Sequence, residues 1–190
     1  MFTVITTWLG GLALVAIAVT VISAVAAALP RGRARMAREV AGAQRPLLAS
    51  AWLVAAIAMA GSLYFSDGVG LVPCLLCWYQ RIAMYPLVVV LGIAVIRGDW
   101  EVWRYATPLA VIGLAISVYH VTIQLMPTLD VVTCSAEAPC TMRYLAIFGF
   151  VSIPFMAGSA FMLIITLLLA VRAAGRHTDE SVAGAADSVA

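Results

Sequence analysis

The sequence contains no lysine and few charged residues of any kind. Only 11% of its 190 residues are charged, whereas 64% are hydrophobic; an average soluble domain is about a quarter charged and about half apolar. The formal net charge of +2 is too small and too dispersed to indicate nucleic-acid binding. The composition therefore excludes an ordinary soluble domain and indicates an integral membrane protein.

The hydrophobic residues fall into five long apolar segments, at 4–29, 47–65, 75–96, 107–126 and 145–171. Each is long enough to cross a hydrocarbon core of about 30 Å, which takes about 20 helical residues. Backbone groups in lipid must pair within their own segment, and the alternation expected of barrel strands is absent. The sequence thus predicts an all-α membrane protein.

The arginines are distributed unevenly between the two sets of loops. Short cytoplasmic loops are enriched in positive residues, and nine of the eleven arginines flank the segments on one side. These are Arg31, Arg33, Arg35, Arg38, Arg45, Arg97, Arg104, Arg172 and Arg176. We therefore expect the N-terminus outside and the C-terminus in the cytoplasm. All four cysteines then lie on the extracytoplasmic side, where disulfides persist.

The two ends of the chain need separate interpretation. Residues 26–28 are alanines, as before a signal-peptide cleavage site, but the first segment lacks a positive start and exceeds the usual apolar length of about 7 to 15 residues. We expect it to remain as a transmembrane helix. Residues 173–190, rich in small and polar residues, are predicted to form a disordered cytoplasmic tail.

The four cysteines form two close pairs, Cys74 with Cys77 and Cys134 with Cys140, although three connectivities are possible. Pro73 and the apolar run after it predict that Cys74 lies near a helix N-cap, with Cys77 in the first turn. The helix N-terminus would favour a thiolate at Cys77. Structural disulfides or inert thiols would also fit the pattern. A four-thiolate zinc site is a weaker interpretation beside a nearby arginine, and we expect no metal.

Arg81 follows Cys77 by four residues and Cys74 by seven, so the three share one helical face. An arginine at this depth needs a polar ligand or an acceptor in the bundle, unless it extends to the membrane surface. His120 and Gln124, one turn apart in the fourth segment, lie at a comparable depth. They could join Arg81 in one site, or His120 could be a hydrogen-bonded packing residue.

Residues 73–86, Pro-Cys-Leu-Leu-Cys-Trp-Tyr-Gln-Arg-Ile-Ala-Met-Tyr-Pro, resemble the signature of the DsbB/BdbC family of membrane thiol:quinone oxidoreductases. The resemblance continues through Val-Tyr-His at 118–120, Cys-Ser-Ala-Glu-Ala-Pro-Cys at 134–140 and Phe-Gly-Phe-Val-Ser-Ile-Pro at 148–154. It covers residues 47–171. This combination is far more specific than a lone Cys-x-x-Cys.

The resemblance implies a four-helix transmembrane bundle in a bacterial cell membrane. Such a protein reoxidises a DsbA-like extracytoplasmic thiol oxidase and passes electrons to a membrane quinone, ubiquinone or menaquinone. The chain then divides into an additional N-terminal helix with a basic loop at 1–46, a redox domain at 47–172 and the tail at 173–190. A non-catalytic scaffold and a vitamin K epoxide reductase-like oxidoreductase are the alternatives.

The resemblance also implies roles for particular residues. Cys134 and Cys140 resemble the exposed pair that meets the partner, and the short spacing between them leaves open which one the partner attacks first. Cys74 and Cys77 resemble the pair beside the quinone, with Cys77 contacting the ring.

The remaining members of the implied quinone site are polar side chains. Arg81 and His120 would support the negative charge that develops on the quinone. Gln80 and Gln124 complete the predicted quinone-binding set.

Overall fold

The apolar segments form helices because only internally paired backbone is stable in lipid. The computed structural model describes residues 2–132, 134 and 138–187. Its helices are α1 (Phe2–Ala28), α2 (Pro30–Val40), α3 (Gln44–Leu63), α4 (Leu75–Arg97), α5 (Trp103–Leu125) and α6 (Ile153–Asp187). A π-helical turn at Tyr64–Gly68 extends α3, and short 3-10 turns occupy Trp100–Val102 and Pro127–Leu129. Within the described ranges no strand forms beyond one isolated bridge.

Five helical stretches are long and apolar enough to cross a membrane: Phe2–Ala28, Gln44–Gly68, Leu75–Arg97, Trp100–Leu125 and Ile153–Gly175. They correspond to the five apolar segments of the sequence, so the prediction of an all-α, multi-pass membrane fold is confirmed. The short helix α2 lies between the first and second spans and carries the basic cluster.

The last span begins later than the sequence suggests. Residues 145–152 are apolar, but α6 starts only at Ile153. Phe148 and Gly149 adopt positive φ values of 53° and 83°, which end any helix there. Ile147 and Val151 exchange backbone hydrogen bonds of 3.0 and 2.9 Å across this turn. The apolar run thus folds as a tight turn at the head of the bundle.

At its other end, α6 continues to Asp187 through part of the segment predicted to be a tail. Residues 188–190 of that segment lie outside the described residues, as does Glu137 of the cysteine-bearing loop. The division of the chain at residues 46 and 172 stays a prediction.

The core lies between α3, α4, α5 and α6. Its fully buried side chains include Leu48, Leu87, Leu91, Phe161 and Leu168. Helices α5 and α6 pack closely, since a Cβ at Gly113 would overlap the ring of Phe161. Helix α1 stands outside this core and packs mainly on α6.

Candidate redox site

Cys74 is the N-cap of α4, as predicted from the preceding proline. Its Sγ accepts a hydrogen bond from the backbone amide of Cys77 at 3.4 Å. Both residues are free thiols, and their Sγ atoms lie 3.0 Å apart. Because the capping amide points at Cys74, the helix N-terminus stabilises a thiolate there and not at Cys77, the position expected from the sequence.

The surroundings of Cys74 lower the pKa of its thiol. The largest cause is the hydrogen bond with the side chain of Cys77. Burial opposes this effect, and the hydrogen bond and electrostatic interaction with His120 add to it. Cys74 therefore ionises more readily than an ordinary cysteine.

Cys134 and Cys140 form a disulfide, with Cα atoms 5.9 Å apart. The resemblance implied an exposed pair, but Cys140 is only 1% exposed while Cys134 is half-buried. Cys140 belongs to the same buried apolar cluster as Cys74, and Cys77 and Cys134 pack against that cluster. The fold thus brings two pairs that are distant in sequence into one place.

His120 lies between the two cysteine pairs and is 1% exposed. Its Nε2 is 3.7 Å from Cys74 Sγ and 3.1 Å from the carbonyl oxygen of Cys140. The amide nitrogen of Gln80 is 3.4 Å from Nδ1. Because that nitrogen can only donate, Nδ1 accepts and Nε2 carries the hydrogen toward the cysteines. Gln80 thereby orients the imidazole.

Arg81 is held from the neighbouring helix α3. Its Nε donates to Ser62 Oγ at 2.9 Å, and a terminal nitrogen donates to the Ser62 carbonyl at 3.0 Å. Tyr85 donates to the same hydroxyl at 3.3 Å. The guanidinium also lies 5.2 Å from the centre of the Trp78 ring. These contacts fix the charge inside the bundle, so Arg81 does not need to extend to the membrane surface.

An elongated cavity of about 260 Å³ opens beside Cys77. Its polar lining includes Cys77, Gln80, Arg81, Tyr85 and Tyr144. The other walls are mostly apolar side chains of α1, α3 and α6. A half-buried cation beside a thiol, at one end of an apolar cavity, can hold a ring with hydrogen-bond acceptors and an apolar tail.

Three of the five residues predicted to bind the quinone line this cavity, namely Cys77, Gln80 and Arg81. The structure places the other two elsewhere. His120 faces the cysteine cluster, and the side-chain amide of Gln124 donates to the carbonyl of Met142 at 3.2 Å. Neither side chain is part of the cavity lining.

Sequence reasoning missed three residues of the site. Ser62 accepts a hydrogen bond from Arg81, and Tyr85 donates to the same Ser62 hydroxyl. Tyr144 lines the cavity from the loop before α6. Tyr85 is four residues after Arg81, a spacing that could have identified it. Burial raises the pKa of Tyr144, and the nearby Cys74 and Cys77 raise it further. Its phenol therefore stays protonated and able to donate.

The sulfur atoms of Cys74 and Cys77 and a ring nitrogen of His120 all lie within 4.8 Å of one another. These three atoms are compatible with metal ligation. A four-thiolate site does not form, since Cys134 and Cys140 are bonded to each other. That no metal binds stays a prediction.

A thiol pair at a helix N-terminus, packed against a disulfide at one end of a membrane bundle, defines a protein suited to thiol-disulfide exchange. A sequence model of the family described as "Disulfide bond formation protein DsbB" matches residues 44–171. The chain belongs to that family. Family membership indicates a disulfide oxidoreductase with a role in disulfide bond formation.

Curated relatives match 64% of the chain. "Probable disulfide formation protein C 2" of Bacillus anthracis is 53% identical over 121 residues, which are 64% of this chain and 86% of that protein. "Disulfide bond formation protein C" of Bacillus subtilis is 49% identical over 122 residues, 64% of this chain and 88% of the relative. No solved structure matches the chain significantly. The family match begins at residue 44, so α1 and α2 lie outside it.

Proposed function

We propose that this protein oxidises a DsbA-like extracytoplasmic thiol oxidase and passes the electrons through its two cysteine pairs to a membrane quinone. The observation that carries the proposal is the position of His120, which contacts Cys74 and Cys140 at once. Two pairs joined in this way are suited to exchange with each other. A scaffold with structural disulfides would not need free thiols beside a cavity.

The partner would enter at the Cys134–Cys140 disulfide. Cys134 is the more exposed of the two, so a partner thiolate attacks its sulfur and forms a mixed disulfide. The S–S bond of the pair breaks, and Cys140 leaves as a thiolate inside the cluster. The second thiol of the partner then attacks its own mixed disulfide, which releases the oxidised partner and a Cys134 thiolate.

Exchange then moves the electron pair inward. The Cys140 thiolate attacks Cys74 of an oxidised Cys74–Cys77 pair and releases the Cys77 thiolate. Cys134 next attacks the bond between Cys140 and Cys74, restoring the Cys134–Cys140 disulfide. Cys74 is a good leaving group because its pKa is lowered by Cys77 and His120. Across these steps the partner loses two electrons and two protons, and the Cys74–Cys77 pair gains them.

The cavity beside Cys77 fits a quinone by the chemistry of its lining. A quinone bound there would accept two electrons and two protons from the inner thiols, becoming a quinol and leaving Cys74 and Cys77 joined as a disulfide. Arg81, fixed by Ser62, presents positive charge to the cavity, and the Tyr144 phenol is available to donate a hydrogen bond. Fixed donors in a site that excludes water favour developing negative charge. The apolar walls limit the access of water.

The proposal is tested by anaerobic quinone reduction with a reduced DsbA-like protein, using ubiquinone and menaquinone analogues. The wild type should reduce one of them, whereas each of the four Cys→Ser variants should lose turnover. A Cys77→Ser protein that still transfers electrons at the normal rate would contradict the mechanism. Reduction of vitamin K epoxide in preference to quinone would instead support the epoxide reductase alternative.

A further inference from the structure

The cavity has a wall that the family match does not include. Leu9, Leu12, Ala13, Ala16 and Val19 of α1 line it together with side chains of α3, α4 and α6. All five precede residue 44, where the match begins. The additional N-terminal helix therefore takes part in forming the cavity that reaches Cys77.

The polar residues that line the cavity lie toward its redox end. Leu9 packs against Gly61, next to the Ser62 that holds Arg81, so the first lining turn of α1 is level with the redox end. Val19 lies ten residues further along α1, about 15 Å deeper. On α3 the lining extends from Gly61 to Val54, seven residues or about 10 Å deeper.

The length of the apolar part of the cavity implies a ligand with an apolar extension. A quinone ring placed beside Cys77 and Arg81 would occupy only the polar end, and the remaining wall presents hydrocarbon. Leaving an apolar cavity of this length empty costs free energy, whereas a flexible hydrocarbon chain would bury its own surface there. Isoprenoid quinones carry such a chain.

We propose that α1 is a quinone-binding element, which holds the isoprenoid tail along Leu12, Ala13, Ala16 and Val19 while the ring lies at Cys77. This inference rests on the proposed function, because it takes a quinone as the ligand. It assigns the additional helix a role in selecting quinones by their tails. Quinones without a tail would gain nothing from these four side chains.

The test narrows the slot from the α1 side. Ala16 is 6% exposed and lines the cavity, so Ala16→Phe directs a ring into the tail region. Ala18 is exposed and is absent from the lining, so Ala18→Phe makes the same change on the outer face of the same helix. Ala16→Leu gives a smaller intrusion into the cavity and keeps the test usable if the Phe variant does not fold.

Binding is measured on the full chain in detergent by quenching of tryptophan fluorescence. The probes are menadione, which has no tail, and menaquinone-4, with ubiquinone-0 and ubiquinone-4 as the matching benzoquinones. Ala16→Phe should weaken binding of the tailed quinones about tenfold and leave the tailless ones within about twofold of wild type. Ala16→Leu should fall between, and Ala18→Phe should match wild type.

The outcomes separate this inference from the proposed function. If the wild type binds tailed quinones and neither Ala16 variant changes their affinity, α1 does not hold the tail. An equal loss of tailed and tailless quinones would also overturn the inference, since the effect would not depend on the tail. If the wild type binds no quinone of either series, the proposed function itself fails.

Discussion

The ring of His120 donates toward the carbonyl oxygen of Cys140 at 3.1 Å, although twenty residues separate the two in sequence. The same nitrogen is 3.7 Å from Cys74 Sγ. A ring fixed by a buried carbonyl and by Gln80 presents its N–H at a constant position. One side chain thereby contacts both the N-cap thiol of α4 and the disulfide-bonded loop beside it.

Replacing His120 by alanine should raise the pH at which Cys74 forms a thiolate. In the folded protein His120 lowers the pKa of this thiol, so without it the thiolate forms only at higher pH. The midpoint is read from the ultraviolet absorbance of thiolates against pH, in a Cys134→Ser, Cys140→Ser background. Ser117→Ala is the control, because that buried hydroxyl donates to the Gly113 carbonyl of its own helix. An unchanged midpoint in His120→Ala would contradict the assigned role.

Replacing Cys140 by serine should trap the partner on the remaining cysteine of the loop. Cys134 is the accessible sulfur, whereas Cys140 is 1% exposed. Incubation of Cys140→Ser with an oxidised DsbA-like protein should give about tenfold more mixed disulfide than Cys134→Ser under the same conditions. Non-reducing gel electrophoresis measures both. More adduct on Cys140 would reverse the proposed order of attack.

Much of the fold could be predicted because it depends on local features of the sequence. Five apolar runs gave five spans, and a proline before a Cys-x-x-Cys gave the cap of α4. The apolar run at 145–152 misled the prediction, since hydrophobicity does not reveal the positive φ values at Phe148 and Gly149. A buried turn and a helix can have the same composition.

The site could be predicted only in part, because its contacts cross between helices. Helical spacing relates Arg81 to Cys77 but cannot identify Ser62, which lies nineteen residues earlier and meets Arg81 through the packing of α3 on α4. His120 and Gln124 group with Arg81 in the sequence because the three residues are predicted to lie at a similar depth in the membrane. Depth does not specify rotation about the helix axis, and that rotation turns both residues away from the cavity.

Ser62→Ala should raise the quinone KM about threefold to tenfold, the range expected for one lost hydrogen bond to Arg81. The change removes the 2.9 Å contact of Arg81 Nε and the 3.3 Å contact of the Tyr85 hydroxyl, but it leaves the backbone carbonyl that holds a terminal nitrogen of Arg81. Arg81→Lys loses the forked geometry, and we expect a loss of about a hundredfold in kcat/KM. Steady-state quinone reduction measures both variants.

Ser159→Ala is the matched control for this pair. Ser159 also lines the cavity, but its hydroxyl bonds the Met156 carbonyl within its own helix. It should therefore leave the quinone KM within about twofold of wild type, which is below the effect of one hydrogen bond. An equal rise in Ser62→Ala and Ser159→Ala would mean that the cavity wall, and not the position of Arg81, determines the effect.

Gly113→Ala should destabilise the bundle, although alanine is the better helix former. A Cβ at this position meets the ring of Phe161, which is fully buried and cannot move aside freely. Overpacking costs about 1 to 3 kcal/mol, and an overlap this close belongs in the upper part of that range, above the propensity gain of about 1 kcal/mol. Gly11→Ala on α1 is the control, since nothing lies within 4 Å of its Cβ position. Thermal unfolding in detergent should show a lower midpoint for Gly113→Ala and an equal or higher one for Gly11→Ala; the reverse order would exclude close packing of α5 on α6 at Gly113.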